Sequence, residues 1–159
     1  LRGPTLFSGY WNAPETNANG FRDGWFHMGD LLKRTKSGGF EFVGRSKYMI
    51  KTGGENVYPA EVERVLLGDP RVADASVVSK PDPQWGEMVV ACVVAPDTDA
   101  TALDAHLRKT PLTSYKRPKA YLFVDILPRN AANKVLRREL ITLAEDARQG
   151  GGEFSFDEV

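Results

Sequence analysis

The rhythm of apolar and polar positions changes near residue 44. Before it, apolar residues come in short runs broken by glycine: Leu6-Phe7, the aromatic corner Gly9-Tyr10-Trp11-Asn12, Trp25 to Thr35, and Phe40-Glu41-Phe42-Val43. Alternation at period two marks half-buried strand. Ser37-Gly38-Gly39 makes a hairpin connection, and Pro14-Glu15-Thr16 a single helical turn with proline at an early position. These strands show no closed core of their own. They suit the last layer of a larger domain, and the chain, which opens in mid-pattern at Leu1, reads as part of something longer.

After Gly44 the pattern alternates between strand and helix. Tyr48-Met49-Ile50 reads as a short strand and Thr52 to Asn56 as a loop. Pro59 starts a helix with Val62, Val65 and Leu66 on one face, and Asp69-Pro70 ends it. Val72 to Val78 is a strand, followed by a rigid turn at Pro81-Asp82-Pro83. Met88 to Ala95 is a continuous apolar run, as expected for a strand covered on both faces. Thr101 to Lys109 is a helix with Leu103 and Leu107 inward, and Tyr121 to Val124 a third strand. Leu136, Leu140, Leu143 and Ala147 mark a last helix starting near Val135. The fold class is α+β: a short β-hairpin and a three-stranded sheet flanked by helices, preceded by a β-rich end piece. The domains expected are 1–46 (the end piece), 47–148 (a mobile C-terminal domain) and 149–159 (a disordered tail without periodicity).

Composition narrows the function. The 159 residues carry 21 Lys plus Arg and 21 Asp plus Glu, a net charge of zero, which disfavours a nucleic-acid clamp. The one cysteine, Cys92, lies inside MVVACVVA and reads as a small buried hydrophobe. With two histidines and no ligand-spaced carboxylates, no built-in metal site is expected. His27 reads as an edge-strand side chain facing solvent and His106 as surface. No run reaches membrane-spanning length and no signal peptide is visible, so a cytoplasmic protein is expected.

Several residues admit two readings from the sequence alone. Asp30 is either a solvated turn aspartate or a carboxylate whose two oxygens fork onto a vicinal diol. Arg45-Ser46-Lys47 is a polar turn between strands. Gly53-Gly54 lacks a P-loop pattern and serves either as a tight turn or as backbone that a ligand can approach closely. Trp85 is a plug over the sheet edge or an exposed aromatic platform. Tyr115, Arg117 and Lys119 alternate along one short extended segment and face one side, where an aromatic and two cations suit adenine stacking and phosphate pairing; the alternative is a solvated basic loop. Lys134, beside a helix N-terminus, is either a surface lysine or one arm of an anion site.

Three stretches in order carry a resemblance: Gly24-Trp25-Phe26-His27-Met28-Gly29-Asp30, Gly44-Arg45-Ser46-Lys47-Tyr48-Met49-Ile50-Lys51, and Leu127-Pro128-Arg129-Asn130-Ala131-Ala132-Asn133-Lys134. They resemble the late motifs of adenylate-forming enzymes: acyl- and aryl-CoA synthetases, carrier-loading adenylation domains and luciferases. The resemblance implies an AMP-forming acid–thiol ligase that uses ATP and Mg2+ to make an acyl-adenylate. A C-terminal domain then rotates and the acyl group passes to CoA. It implies that Lys134 is catalytic in adenylation, that Asp30 and Arg45 bind ATP or AMP, and that Lys47 is the hinge. It gives Lys51 a role in the second half-reaction and assigns CoA to Gly53, Gly54, Trp85, Tyr115, Arg117 and Lys119. Mg2+ would be held mainly by the large domain, which also holds the acid. The expected partners are a carboxylic acid, ATP, CoA and the large domain, with no nucleic acid; the oligomeric state stays open, and residues 1–159 alone are expected to be inactive. Many relatives have Thr or Ser where Met28 stands, and most have Gly where Asn133 stands. The run Asn130 to Lys134 is similar to that of 4-chlorobenzoate-type aryl-CoA ligases. Loading of a carrier protein is the alternative function, and a non-enzymatic nucleotide or nucleic-acid module, through Lys116 to Lys119 and Arg137-Arg138, the third.

Overall fold

The computed structural model describes residues 1–147; the tail expected at 149–159 lies outside them. The chain divides into two compact units, Leu1–Lys47 and Tyr48 onward. In the first unit come α1 (Pro14–Gly20), β1 (Phe21–Arg22), β2 (Trp25–Phe26), β3 (Asp30–Arg34) and β4 (Phe40–Arg45). The expected extended run from Trp25 is broken at Gly29, whose φ of 76° a β-carbon would resist. β1 pairs with β2 and β3 with β4, both antiparallel. Phe7, Tyr10, Phe21 and Phe26 pack ring against ring, with Phe7 meeting three of them edge-on at about 5 Å. Every fully buried hydrophobic side chain among the described residues nevertheless lies at Ile50 or later.

The second unit begins with a 3-10 turn, Ser46–Tyr48 shared across the boundary, where a strand at Tyr48–Ile50 was expected. Then follow β5 (Ile50–Thr52), β6 (Glu55–Val57), α2 (Pro59–Leu66), β7 (Asp74–Asp82), β8 (Gly86–Val94), α3 (Ala100–Arg108), β9 (Ala120–Phe123) and α4 (Arg137–Asp146). The stretch read as a loop at Thr52–Asn56 is instead a tight hairpin: only Gly53 and Gly54, at φ of 56° and 84°, lie outside its strands. Two consecutive positive φ values are what a two-residue hairpin turn demands, and Gly-Gly meets them without strain. β7 likewise runs on through Pro81 and Asp82 rather than stopping at Val78.

β8 is the central strand. β7 covers one edge over its whole length; β9 pairs in parallel with the other, and β5 joins at Thr52 and Gly86. The period-two geometry sorts its side chains to two faces. Val89, Ala91 and Val93 point to a core shared with Val62 and Leu66 of α2 and Leu103 and Leu107 of α3. Met88, Val90 and Cys92 point the other way, to Leu140 and Ala144 of α4. Cys92 is fully buried, and burial pushes its thiol pKa up to about 12, so it behaves as a hydrophobe. The α4 face therefore runs through Leu140 and Ala144, and Leu143, expected inward, is 45% exposed. Helix α4 starts two residues later than the expected Val135.

Two polar pairs tie the layers. Glu63 of α2 accepts a bond from the Val77 amide at 2.8 Å and pairs with Arg137 of α4 at 2.7 Å, while Arg137 donates to the Val77 carbonyl. Asp69, 2% exposed, takes a forked pair of bonds from Arg71 and lies 3.5 Å from His106 Nδ1, so His106 is half-buried rather than on the surface as expected. The Arg71 guanidinium holds the Asp69 carboxyl well below the usual carboxylate range.

Arg137→Ala would leave the Val77 carbonyl without its donor and the part-buried Glu63 carboxylate without its cation, though still bound to the Val77 amide. It is expected to cost about 2–4 kcal/mol in urea unfolding, with Arg137→Lys falling between it and the parent. The Asp69 pKa is depressed, so its stabilisation is full above the unfolded value, about 3.9, and is lost as pH falls below it. Asp69→Asn should lose stability at neutral pH and show a flatter fall in melting temperature below about pH 4 than the parent.

Candidate functional site

Asp30 and Arg45 open the β3–β4 ladder as its first paired residues. Arg45 Nε lies 2.7 Å from Asp30 Oδ1, an ion pair whose angle leaves that buried oxygen without an aligned hydrogen bond. Ser46 pins the preceding turn, with its amide and its hydroxyl both donating to the Gly29 carbonyl. Gly29 and Ser46 thus present Asp30 at the end of its strand. Lys47 closes the first unit inside the 3-10 turn. His27 is exposed just beyond β2.

Lys134 stands on a stapled loop rather than on a helix, since α4 begins at Arg137. The Asn130 side chain accepts from the amides of Ala132 and Lys134 at 3.0 and 2.9 Å, and Asn130 N–H donates to the Lys134 carbonyl. Asn133 adopts a φ of 59°, a left-handed conformation that glycine accepts freely and asparagine tolerates better than most residues. That explains physically why the expected Gly is exchanged for Asn here and not for a bulkier residue. Arg129 donates to the Asn133 carbonyl and pairs with Asp74 of β7 at 2.6 Å. Lys134 itself is exposed, and its ammonium has no hydrogen-bond or ion-pair partner among the described residues.

The second cluster lies where two hairpin turns meet. Trp85, 44% exposed, caps the β7–β8 turn, and its carbonyl accepts the Gly53 amide at 2.9 Å. Its indole covers Gly53 so closely that a β-carbon there would lie 2.8 Å from the ring. Lys51 is exposed on β5 next to this contact, its amide donating to Glu87 at 2.6 Å.

Tyr115, Arg117 and Lys119 do not form the extended, one-faced segment expected. Ser114–Lys116 folds as a 3-10 turn, which removes the period-two alternation. Arg117 turns to Asp104 of α3 at 3.3 Å, and Lys116 pairs with Glu61 of α2 at 2.8 Å. Tyr115 stays 38% exposed. Lys119 is half-buried, its amide bound to the Val89 carbonyl. The acidic partners Asp104 and Glu61 sit on separate helices, so no local spacing announced them.

Among the described residues no group of three His, Cys, Asp or Glu side chains could hold a metal ion. No described helix is long and apolar enough to cross a membrane.

Comparison with known proteins defines the class. Residues 61–134 match the AMP-binding enzyme C-terminal domain. A feruloyl-CoA synthase from an Amycolatopsis species is 47% identical over 143 residues, 88% of this chain and 29% of that protein. A 2-succinylbenzoate–CoA ligase from Bacillus cereus is 39% identical over 146 residues, 92% of this chain and 30% of that protein. The o-succinylbenzoate CoA synthetase MenE of Bacillus subtilis, solved with its acyl-adenylate OSB-AMP, superposes with a TM-score of 0.82 at 38% identity, over 87% of this chain and 29% of that one. The same enzyme solved with ATP and magnesium ion superposes at 0.80, with the same identity and coverage. The chain is thus similar over residues 61–134 to the C-terminal domain of AMP-binding enzymes, and over most of its length to part of acid–CoA ligases. It spans about 30% of the length of these relatives.

Gly53→Ala tests the turn contact. The added carbon must displace the indole, and the positive φ adds strain, for an expected loss of about 1–2 kcal/mol in thermal or urea unfolding. Gly54→Ala, with open space around it, should lose less.

Proposed function

We propose that this chain supplies the rotating part of an ATP-dependent acid–CoA ligase. The acid's carboxylate attacks the α-phosphorus of ATP, giving an acyl-adenylate and pyrophosphate. The CoA thiol then attacks the acyl carbon and AMP leaves. Asp30 and Arg45 hold the nucleotide ribose, with the Asp30 carboxylate forking onto the two hydroxyls. Lys134 meets the charge that develops between carboxylate and α-phosphate. Lys47, the last residue of the first unit, is the hinge. Trp85 and the Gly53-Gly54 turn take the thiol arm, with Lys51 beside them. The nucleotide end of CoA falls to Tyr115, Arg117 and Lys119, with the exposed Tyr115 ring as the stacking surface and Arg117 exchanging its Asp104 pairing for phosphate. The described residues offer no metal cluster, so any magnesium with ATP draws its other ligands from the remainder of the enzyme.

One observation carries this reading. The Lys134 loop is anchored at Asp74, the first residue of β7, and Trp85 with Gly53 at Asp82, its last residue, and at Gly86, which pairs with Asp82 from β8. Eight strand steps separate the two anchors, about 26 Å at ~3.3 Å per step. Groups so far apart on one rigid strand act on the same acyl carbon only in turn, as a rotating domain requires. The names of the relatives, all acid–CoA ligases, favour CoA over a carrier protein as acceptor. The relatives' remaining 70% or so of length would supply the acid pocket.

In the full-length enzyme Lys134→Ala is expected to slow pyrophosphate release by about 10²–10³. Thioester formation from supplied acyl-adenylate should proceed at the parent rate. Equal loss in both steps would remove Lys134 from the adenylation site.

A further inference from the structure

We propose that Asp82 and Glu87 are positioning residues for the acceptor thiol. This rests on the reading of Trp85 and Gly53-Gly54 given above. Neither carboxylate belongs to the sequence motifs, yet together they determine how the two turns dock. Asp82 Oδ1 accepts from the amides of Gln84 and Trp85, both at 2.9 Å. That side-chain turn fixes the peptide from which the indole projects, in a three-residue turn, Pro83 to Trp85, that lies between the paired ends of β7 and β8. The Trp85 carbonyl is then aimed at the Gly53 amide, 2.9 Å away.

Glu87 acts from the other side. β5 joins β8 through a single ladder pair, Thr52 with Gly86. The Gly53 amide adds its bond to the Trp85 carbonyl just beyond that pair, and Lys51 has no ladder partner on β8. Glu87 Oε2 accepts the Lys51 amide at 2.6 Å and so replaces the missing ladder bond with a side chain. The charge on the acceptor strengthens that bond relative to a neutral one. Lys51, Thr52 and Gly53 are thereby held at consecutive points against the β7–β8 turn. The hairpin tip, with Gly54 in open space and the half-exposed indole beside it, becomes a preorganised edge rather than a mobile loop. Without either carboxylate the tip and the ring can move relative to one another. A displacement of about 1 Å at such a site is enough to lower productive engagement by one to two orders of magnitude.

The test uses the full-length enzyme, with two readouts: KM for CoA in thioester formation, and the rate of pyrophosphate release measured without CoA. Asp82→Ala and Glu87→Ala are each expected to raise KM for CoA about tenfold while pyrophosphate release stays at the parent rate. Asp82→Asn and Glu87→Gln, which keep an acceptor oxygen, should bring KM back to within about twofold of the parent. An unchanged KM in the alanine variants overturns the proposal. So does a parallel fall in both readouts, or failure of the amide variants to rescue. Trp85→Ala separates the layers of the argument. If it leaves KM for CoA unchanged, the acceptor-site reading falls, and the positioning role with it. If it raises KM while Asp82→Ala and Glu87→Ala do not, only the positioning role falls.

Discussion

The outer edge of β7 is the constraint on which the second unit depends. β7 has β8 on one side only, so the amide and carbonyl of Val77 face away from the sheet. Unpaired, they would be a template for another strand. Glu63 takes the amide and Arg137 the carbonyl, and the two side chains pair with each other. Glu63 comes from α2 and Arg137 from α4, which cover opposite faces. The pair therefore reaches around the edge and holds both layers to the strand between them. A cation in the first turn of a helix is unfavourable by itself, because the helix dipole is positive there. Glu63 reverses that balance. Further along the same edge stands Pro81, which has no amide to leave unpaired.

That clamp also determines what the Lys134 loop can do. The segment from Arg129 to Arg137 leaves the domain body and returns to it, and at each end a guanidinium grips β7: Arg129 at Asp74, Arg137 at Val77. Asn130 ties the interior of the loop to itself. With its neighbouring cations engaged, Lys134 remains as exposed charge on a backbone that has few ways to move. In the role proposed for Lys134, a cation placed this way costs little at the moment of reaction, because the ordering is done during folding. The ion pairs that do the ordering are themselves partly buried, and each matters more through the penalty for breaking it than through its net worth.

Much of this was legible in the sequence, for definable reasons. Strong periodicity located α2 and α3 to within one or two residues, and the unbroken apolar run identified β8 as covered on both faces. Glycine pairs located the turns but not their length: Gly53-Gly54 was readable as a turn, whereas flanking Glu55 and Asn56 are poor strand formers that pair only because β5 lies opposite. The α4 stripe was misread because Leu143 is as apolar as Leu140, and only packing against Cys92 and Val90 distinguishes them. The basic segment at 114–119 failed for a similar reason. Its geometry depends on Asp104 and Glu61, which reach it from other elements. Asp82, like Asn130, carried a local signal, here an aspartate two and three residues ahead of amides that a turn leaves unpaired.

The separation along β7 constrains the chemistry more than any single side chain does. In the proposed function, a lysine acting at the acyl phosphate and a turn delivering a thiol must both reach one carbon. Their anchors lie at opposite ends of a strand that is paired along its full length with β8 and clamped at its outer edge. Bending such a strand to bring the ends together would break its ladder. Melting the Lys134 loop would abandon the contacts to Asp74 and Asn130 that order it. The freedom that the proposed function then draws on is a turn of the whole domain as one body, presenting first one end of β7 and then the other. In the proposed function, rigidity within the domain calls for a hinge outside its core, and the proposed hinge, Lys47, lies just before Ile50 opens the first core strand.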